Sequence, residues 1–229
     1  LYNAGFMIIN TYVGMVFTAM GTEYYPRLST YTDDHERFNQ AINQQIEISL
    51  LLTAPLIAFF LVFGDLAIII LYSNKFLPIT WMVIWAIMAI FFKAPSWCIS
   101  YSFLAKGDIK TFWLNELVAV LLQLGINLLF YHYGGLTGLG VSYMLNYFLY
   151  NFQVWFITKI RYSFKLNLSL LKVLIPQLVI SAAIIAIYYF LGEMPRYIAG
   201  TLLTVASTYL SYKMLNKYMD VKKFIIEKI

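Results

Sequence analysis

Charge is what this sequence has least of. Only 12% of its 229 residues are Asp, Glu, Lys or Arg, about half the share found in soluble domains, and that scarcity excludes a water-soluble globule. Cysteine occurs once, at Cys98. No intrachain disulfide can form, so compartment is not legible from redox chemistry; within its apolar run the thiol reads as a small buried group. The two histidines, His35 and His132, fall on opposite sides of the apolar segments, which excludes a His-rich metal site. No Gly-rich loop precedes a phosphate-binding lysine, so ATP hydrolysis by a P-loop is excluded. A sugar-nucleotide transferase would need paired acids in a sizeable soluble region, and a glycan polymerase a large outer loop; neither is present. No catalytic residues, metal ligands or cofactors are expected. Nucleic acid is not expected as a partner either, despite a net charge of +5 and a pI near 9.1, because of where the charges fall.

What the chain has in abundance is long apolar runs, with 61% hydrophobic residues and a mean hydropathy of +0.72. Runs at about 1–22, 46–64, 77–104, 111–132, 136–159, 172–191 and 196–213 are each close to the ~20 residues that a helix needs to cross a ~30 Å hydrocarbon core. In hydrocarbon the backbone must satisfy its own N–H and C=O groups, and nothing alternates like a barrel strand, so an all-α polytopic membrane bundle of seven transmembrane helices is predicted. Assigning the connections alternately to the two faces places Arg27, Arg37, Lys106, Lys110, Lys159, Arg161, Lys165, Lys172 and the lysines from Lys213 onward on one side. The other side has Lys75 and Arg196, while Lys93 is left inside a span. By the positive-inside rule the basic side is cytoplasmic, and so is the C-terminus.

Leu1 opens directly into an apolar run with no Met and no basic leader region, which reads as a fragment with upstream helices missing. Asp33 and Glu36 stand at capping-box spacing ahead of Phe38, Ile42 and Ile46, suggesting an interfacial helix over 33–49 that runs into the second span, with a plain helical extension of that span as the alternative. The five lysines from Lys213 onward, mixed with Met214, Phe224, Ile225 and Ile226, suit attraction to an anionic inner leaflet. Gly134, Gly135, Gly138 and Gly140 read as a tight turn with close helix packing.

Polar residues inside the spans recur on single faces. Lys93, beside Pro95, is followed by Ser96 and Ser100, and a charge at that depth costs about 2.5–3.5 kcal/mol unless it faces protein or a wet cavity. Glu116 leads to Gln123 and Asn127; Asn3, Asn10 and Gly14 mark the first span; Ser142, Asn146, Tyr150 and Gln153 mark the fifth. Shared one-sided stripes predict a solvated path between helices. The alternative for each amide and hydroxyl is simple glue between helices, worth ~0.6 kcal/mol apiece. Glu116, with Glu47 and Arg27 at the inner mouth, supplies candidate ion-coupling or gate charges, with snorkelling to the interface as the alternative for the last two.

The runs Leu1–Tyr2–Asn3–Ala4–Gly5, Tyr12–Val13–Gly14–Met15–Val16–Phe17 and Tyr24–Tyr25–Pro26–Arg27–Leu28–Ser29 resemble a helix and exit loop of bacterial O-antigen and polysaccharide flippases of the Wzx type. Asn43–Gln44–Gln45, Leu71–Tyr72–Ser73 with Phe76, and Ala105–Lys106–Gly107 extend the resemblance over most of residues 1–165. That family lies in the multidrug/oligosaccharidyl-lipid/polysaccharide exporter superfamily, whose members typically have two pseudo-symmetric six-helix lobes and a final helix pair. The resemblance implies that 1–165 is a partial C-terminal transporter lobe and 166–229 the terminal helix pair with its basic tail. It implies transfer of an undecaprenyl-diphosphate-linked oligosaccharide from the cytoplasmic to the periplasmic leaflet of a bacterial inner membrane by alternating access. The partners it implies are the lipid-linked substrate, the bilayer and other surface-glycan assembly proteins. Lys93, Ser96, Ser100, Asn10, Gln123, Asn127 and Asn146 would line the cavity. A small-molecule or multidrug exporter of the same superfamily is the main alternative, and a membrane-bound glycan-modifying enzyme a more distant one.

Overall fold

The computed structural model describes residues 2–216, with side chains described from residue 5 onward apart from 8–10. The basic tail expected beyond Asn216 lies outside the described residues. Among those described there are helices and no strands: α1 (Tyr2–Ser29), α2 (His35–Leu71), α3 (Thr80–Met88), α4 (Ile90–Ala105), α5 (Ile109–Tyr162), α6 (Leu171–Phe190) and α7 (Glu193–Leu215), with short 3-10 turns at Asn74–Ile79 and Leu168–Leu170. The all-α fold follows from the apolar runs, because only a helix closes its backbone hydrogen bonds within one segment.

Two of these elements are not simple rods. Helix α5 is 54 residues long, and its helical dihedrals fail at Gly135, where φ is 53° and ψ is −135°. That left-handed φ suits glycine, and there the helix folds back on itself. Side-chain bonds then join Asn127 to Ser142, Asn115 to Gln153 and Thr111 to Arg161, so the arms 109–134 and 136–162 lie antiparallel. The third expected span is likewise broken: α3 with its leading 3-10 turn meets α4 at an angle of 41°. The break falls at Ala89, between Met88 and Ile90, and Pro95 lies six residues beyond it inside α4.

By length and apolarity, the stretches Gly5–Ser29, His35–Leu71, Ile109–Tyr162 and Leu168–Phe190 can each cross a membrane, and the bent α3–α4 pair makes a fifth candidate. Splitting α5 at Gly135 and counting α7 gives the expected seven rods. Helix α7 is less apolar, carrying Thr201, Thr204, Ser207, Thr208 and Ser211 between Arg196 and Lys213. It packs closely on α2 instead, where a methyl on Gly200 would stand 2.7 Å from the Val62 side chain.

The start of α2 takes the form of the helical extension, not of an interfacial helix over 33–49. A single helix begins at His35, capped by Asp34 rather than Asp33, with the Asp34 carboxylate accepting from the Arg37 N–H at 3.0 Å. Phe38, Ile42 and Ile46 point into the protein core and are at most 2% exposed. Core packing, rather than a membrane surface, takes up that apolar face.

The connections 30–34, 106–108 and 163–170 meet at one end of the bundle. Lys106 donates to the Thr32 carbonyl and lies 4.6 Å from the Phe38 ring centroid. Asn43 donates to the Lys165 carbonyl at 2.9 Å and accepts from the Asn167 N–H at 2.7 Å. At the opposite end Asp65 accepts from Thr80 and Tyr188 at 2.7 Å each and pairs with Arg196 at 3.3 Å, tying α2, α3, α6 and α7 together.

The second arm of α5 lies so close to α3 that a methyl on Gly140 would fall 2.4 Å from the Met82 carbonyl oxygen. A backbone atom cannot swing aside, so Gly140→Ala is expected to destabilise the bundle by about 1–3 kcal/mol, read as a lower thermal midpoint of the purified protein. Gly125→Ala, where nothing lies within 4 Å, is expected to be neutral or to stabilise by up to about 1 kcal/mol.

Candidate functional site

The bend at Ala89 and the hairpin at Gly135 together leave a cleft of about 250 Å³ between α4 and the two arms of α5. Lys93, Ser96, Trp97 and Ser100 line it from α4, with Glu116 and Gln123 from the first arm and Asn146, Tyr147 and Tyr150 from the second. Lys93 is the fourth residue of α4 and lies midway along the α3–α4 rod. Four-residue spacing along one helix face then brings Trp97 beneath it.

The Lys93 ammonium is half-buried, and among the described residues no carboxylate lies within ion-pair distance of it. It approaches the Tyr143 hydroxyl at 3.5 Å, the outer limit of a hydrogen bond. The Tyr147 and Phe17 ring centroids lie 5.3 and 5.8 Å from its nitrogen. Aromatic faces attract a cation but do not neutralise it. The ammonium therefore keeps its charge demand open toward the cleft.

Glu116 accepts from the Tyr150 hydroxyl and from Asn115 at 3.1 Å, which fixes its carboxylate on the opposite wall. Ser96 and Ser100 donate to carbonyls of their own helix, at 2.9 and 3.0 Å. The Gln123 and Asn146 side chains have no hydrogen-bond partner among the described residues, yet both border the cleft. An amide without partners at hydrocarbon depth costs several kcal/mol unless water reaches it. The cleft is thus built for polar contents.

The structure brings seven of the sequence-derived residues onto this cleft: Lys93, Ser96, Ser100, Glu116, Gln123, Asn146 and Tyr150. Others lie elsewhere. Asn127 accepts from Ser142 at 2.7 Å, joining the two arms of α5. Glu47 is buried on α2, where it accepts from Ser169 in a separate polar recess shared with Gln40, Gln44 and Asn167. Arg27 donates to Gln45 at 2.9 Å and pairs with the exposed Glu23 at 3.7 Å. The side chain of Asn10 lies outside the described residues. Trp97 and Tyr147 on the cleft, and Phe17 beside Lys93, had no polar signature to mark them. Asp65, a lone acid ending a long apolar run, was the overlooked signal for the tie to Arg196.

Where the cleft meets the basic end, Asp108 caps α5 by accepting from the Thr111 N–H at 3.2 Å; it also accepts from Tyr162 at 2.9 Å and pairs with Arg161 at 3.3 Å. These contacts close the ends of the two arms against each other.

Residues 1–81 match the model of a family described as "Polysaccharide biosynthesis protein". No curated protein sequence matches the chain. Among solved structures, the lipid II flippase MurJ in an inward closed conformation superposes with a TM-score of 0.66 at 16% identity, covering 88% of this chain and 44% of that one. This chain thus spans less than half the length of that structure. The family match agrees with the polysaccharide-related resemblance over residues 1–81, and the chain shares the fold of the MurJ structure as a multi-pass membrane protein.

The Asp108 contacts carry a pH signature. Partial burial pushes its carboxyl up, but the hydrogen bonds from Thr111 and Tyr162 and the Arg161 guanidinium outweigh that and hold it below the ordinary carboxylate range. A carboxyl depressed on folding adds stability at pH values above its unfolded pKa of about 3.9 and loses it as pH falls through the lower folded value. Asp108→Asn is therefore expected to lower thermal stability at pH 6–7 and to erase the difference from wild type once the acid limb below about pH 3 is reached. A constant offset across the whole pH range would contradict this assignment.

Proposed function

We propose that this chain supplies the C-terminal part of a flippase that carries a diphosphate-linked oligosaccharide on a polyprenyl lipid from the cytoplasmic to the outer leaflet. On this reading residues 1–165 form part of one transporter lobe, with α6 and α7 the helix pair that follows it. The basic end of the bundle faces the cytoplasm and the membrane is a bacterial inner membrane.

The observation that carries the reading is the uncompensated ammonium of Lys93 on a polar cleft halfway along its rod. Moving a glycan and a diphosphate through hydrocarbon requires a route where both are solvated while the lipid tail stays in acyl chains. A fixed cation at mid-depth offsets the diphosphate charge, and unpaired amides such as Gln123 and Asn146 replace water around hydroxyls. Alternating exposure of such a cleft to the two faces completes transfer without a catalytic step. The family match over residues 1–81 and the fold shared with a lipid II flippase support this choice over a glycan-modifying enzyme.

A second reading draws on Glu116, whose carboxylate shares the cleft. A small-cation exporter of the same superfamily would use that acid for its cargo, whereas in the flippase it answers to a proton or sodium ion. The two readings differ in which residue is indispensable for binding.

Lys93→Ala in the full-length protein is expected to cut surface-glycan export at least tenfold at normal protein levels, because a buried charge partner is worth ~2–5 kcal/mol. Lys93→Arg should retain part of it. Wild-type glycan in the Ala variant would refute the reading. Glu116→Gln is expected to uncouple transport from the ion gradient, measured in proteoliposomes with imposed gradients; a retained gradient dependence would remove that role.

A further inference from the structure

Lys93, Trp97 and Tyr101 follow one another at four-residue intervals, so they share one face of α4, each about 6 Å further along the axis toward the basic end. Trp97 borders the cleft, and other rings brace it: Phe17 and Tyr24 of α1 with centroids 5.3 and 5.8 Å away, and Tyr101 at 4.7 Å. Tyr24 is itself fully buried and donates to the Cys98 carbonyl at 2.9 Å, which anchors the brace. Gly21 leaves just enough room, since a methyl there would stand 3.1 Å from the Tyr101 hydroxyl and 3.4 Å from the indole. The indole is thus held in place at the edge of a polar cleft, one helical turn from an uncompensated cation.

The face of an aromatic ring is the negative part of its quadrupole. A pyranose presents a patch of weakly positive C–H groups on the side that lacks axial hydroxyls, and it can lie on that face while its equatorial hydroxyls stay hydrogen-bonded. Gln123 and Asn146, which have no partner among the described residues, line the same volume and can receive those hydroxyls. The spacing matches the cargo: about 6 Å along α4 separates the Lys93 and Trp97 positions, close to the length of one sugar ring beyond a phosphate.

Resting on the reading that Lys93 receives a diphosphate, we propose that Trp97 is a stacking platform for the first pyranose of the cargo, the sugar joined directly to that diphosphate. Stacking of this kind tolerates different sugars, because most pyranoses have such a C–H face. The glycan beyond the first ring would continue past Tyr101 toward the basic end.

The test uses the full-length protein in lipid nanodiscs and two probes: undecaprenyl diphosphate, and the same lipid carrying one N-acetylglucosamine or one glucose. Wild-type protein is expected to bind the glycosylated lipid about tenfold more tightly than the bare one. Trp97→Leu should abolish that preference while binding the bare lipid as wild type does, which also shows that it is folded. Trp97→Phe should keep part of the preference, and Lys93→Ala should weaken both probes. If Trp97→Leu binds neither probe, Trp97→Phe decides: a reduced preference supports the platform, and an undiminished one overturns it. Equal binding of the two lipids by wild type, or a full preference retained in Trp97→Leu, would overturn the platform and leave the transport reading intact. Wild-type protein that binds neither lipid would overturn both.

Discussion

Inside hydrocarbon a polar group has no water to bond, and the arrangement of this bundle can be traced to that single constraint. Three solutions are visible. Thr18, Thr53 and Thr158 donate back to carbonyls of their own helices. Other groups pair between helices: Gln177 and Ser207 bond reciprocally and join α6 to α7, while Asp65 and Arg196 meet at the opposite end from Asp108. The third solution is the cleft, where Gln123 and Asn146 have no partner among the described residues and Lys93 has aromatic neighbours but no carboxylate. The first two consume their polar groups in holding helices together. The cleft leaves its groups available for contents of its own.

The cleft exists because two helices fail to run straight. The α3–α4 rod bends at Ala89, one turn above Lys93, and Gly135 returns α5 so that both of its arms face α4. Close packing at Gly138 and Gly140, where a methyl would strike the Phe130 and Met82 carbonyls, holds the hairpin near its turn. Toward the other end Asn115, Gln153, Asp108 and Arg161 hold the arms together. The opposite face of the first arm exposes Leu121, Leu124 and Leu128, each more than half exposed, as suits contact with acyl chains. One helix thereby serves two solvents, with its polar stripe and its leucines on different sides.

Much of this was legible from residue order alone. Apolar length located the rods, and assigning the connections alternately to the two faces grouped those that meet at each end. The stripes on α4 and α5 were also readable, because charged and amide residues stand out against an apolar background. Aromatic contributors were not: Trp97, Tyr147 and Phe17 look like any membrane aromatic until the neighbouring helix is in place. Long-range pairing was hidden as well. Asn127 was grouped with Gln123 by periodicity, but the fold-back at Gly135 gives it Ser142 as a partner. Glu47 has the composition of a mouth residue, but the 163–170 connection covers it. The apolar face of 33–49 has a period that suits a membrane surface and a protein core equally, and packing against the bundle decided between them.

The central claim is that water reaches Lys93 and its neighbours at mid-membrane depth, and cysteine accessibility tests it most directly. In full-length protein with Cys98 replaced by Ala, Ser100→Cys, Gln123→Cys and Asn146→Cys are expected to react with a charged, membrane-impermeant thiol reagent, while Leu121→Cys and Leu128→Cys stay unmodified. Uniform protection of the first three, or reactivity no greater than at the two leucine positions, would show that the cleft is dry and contradict the account.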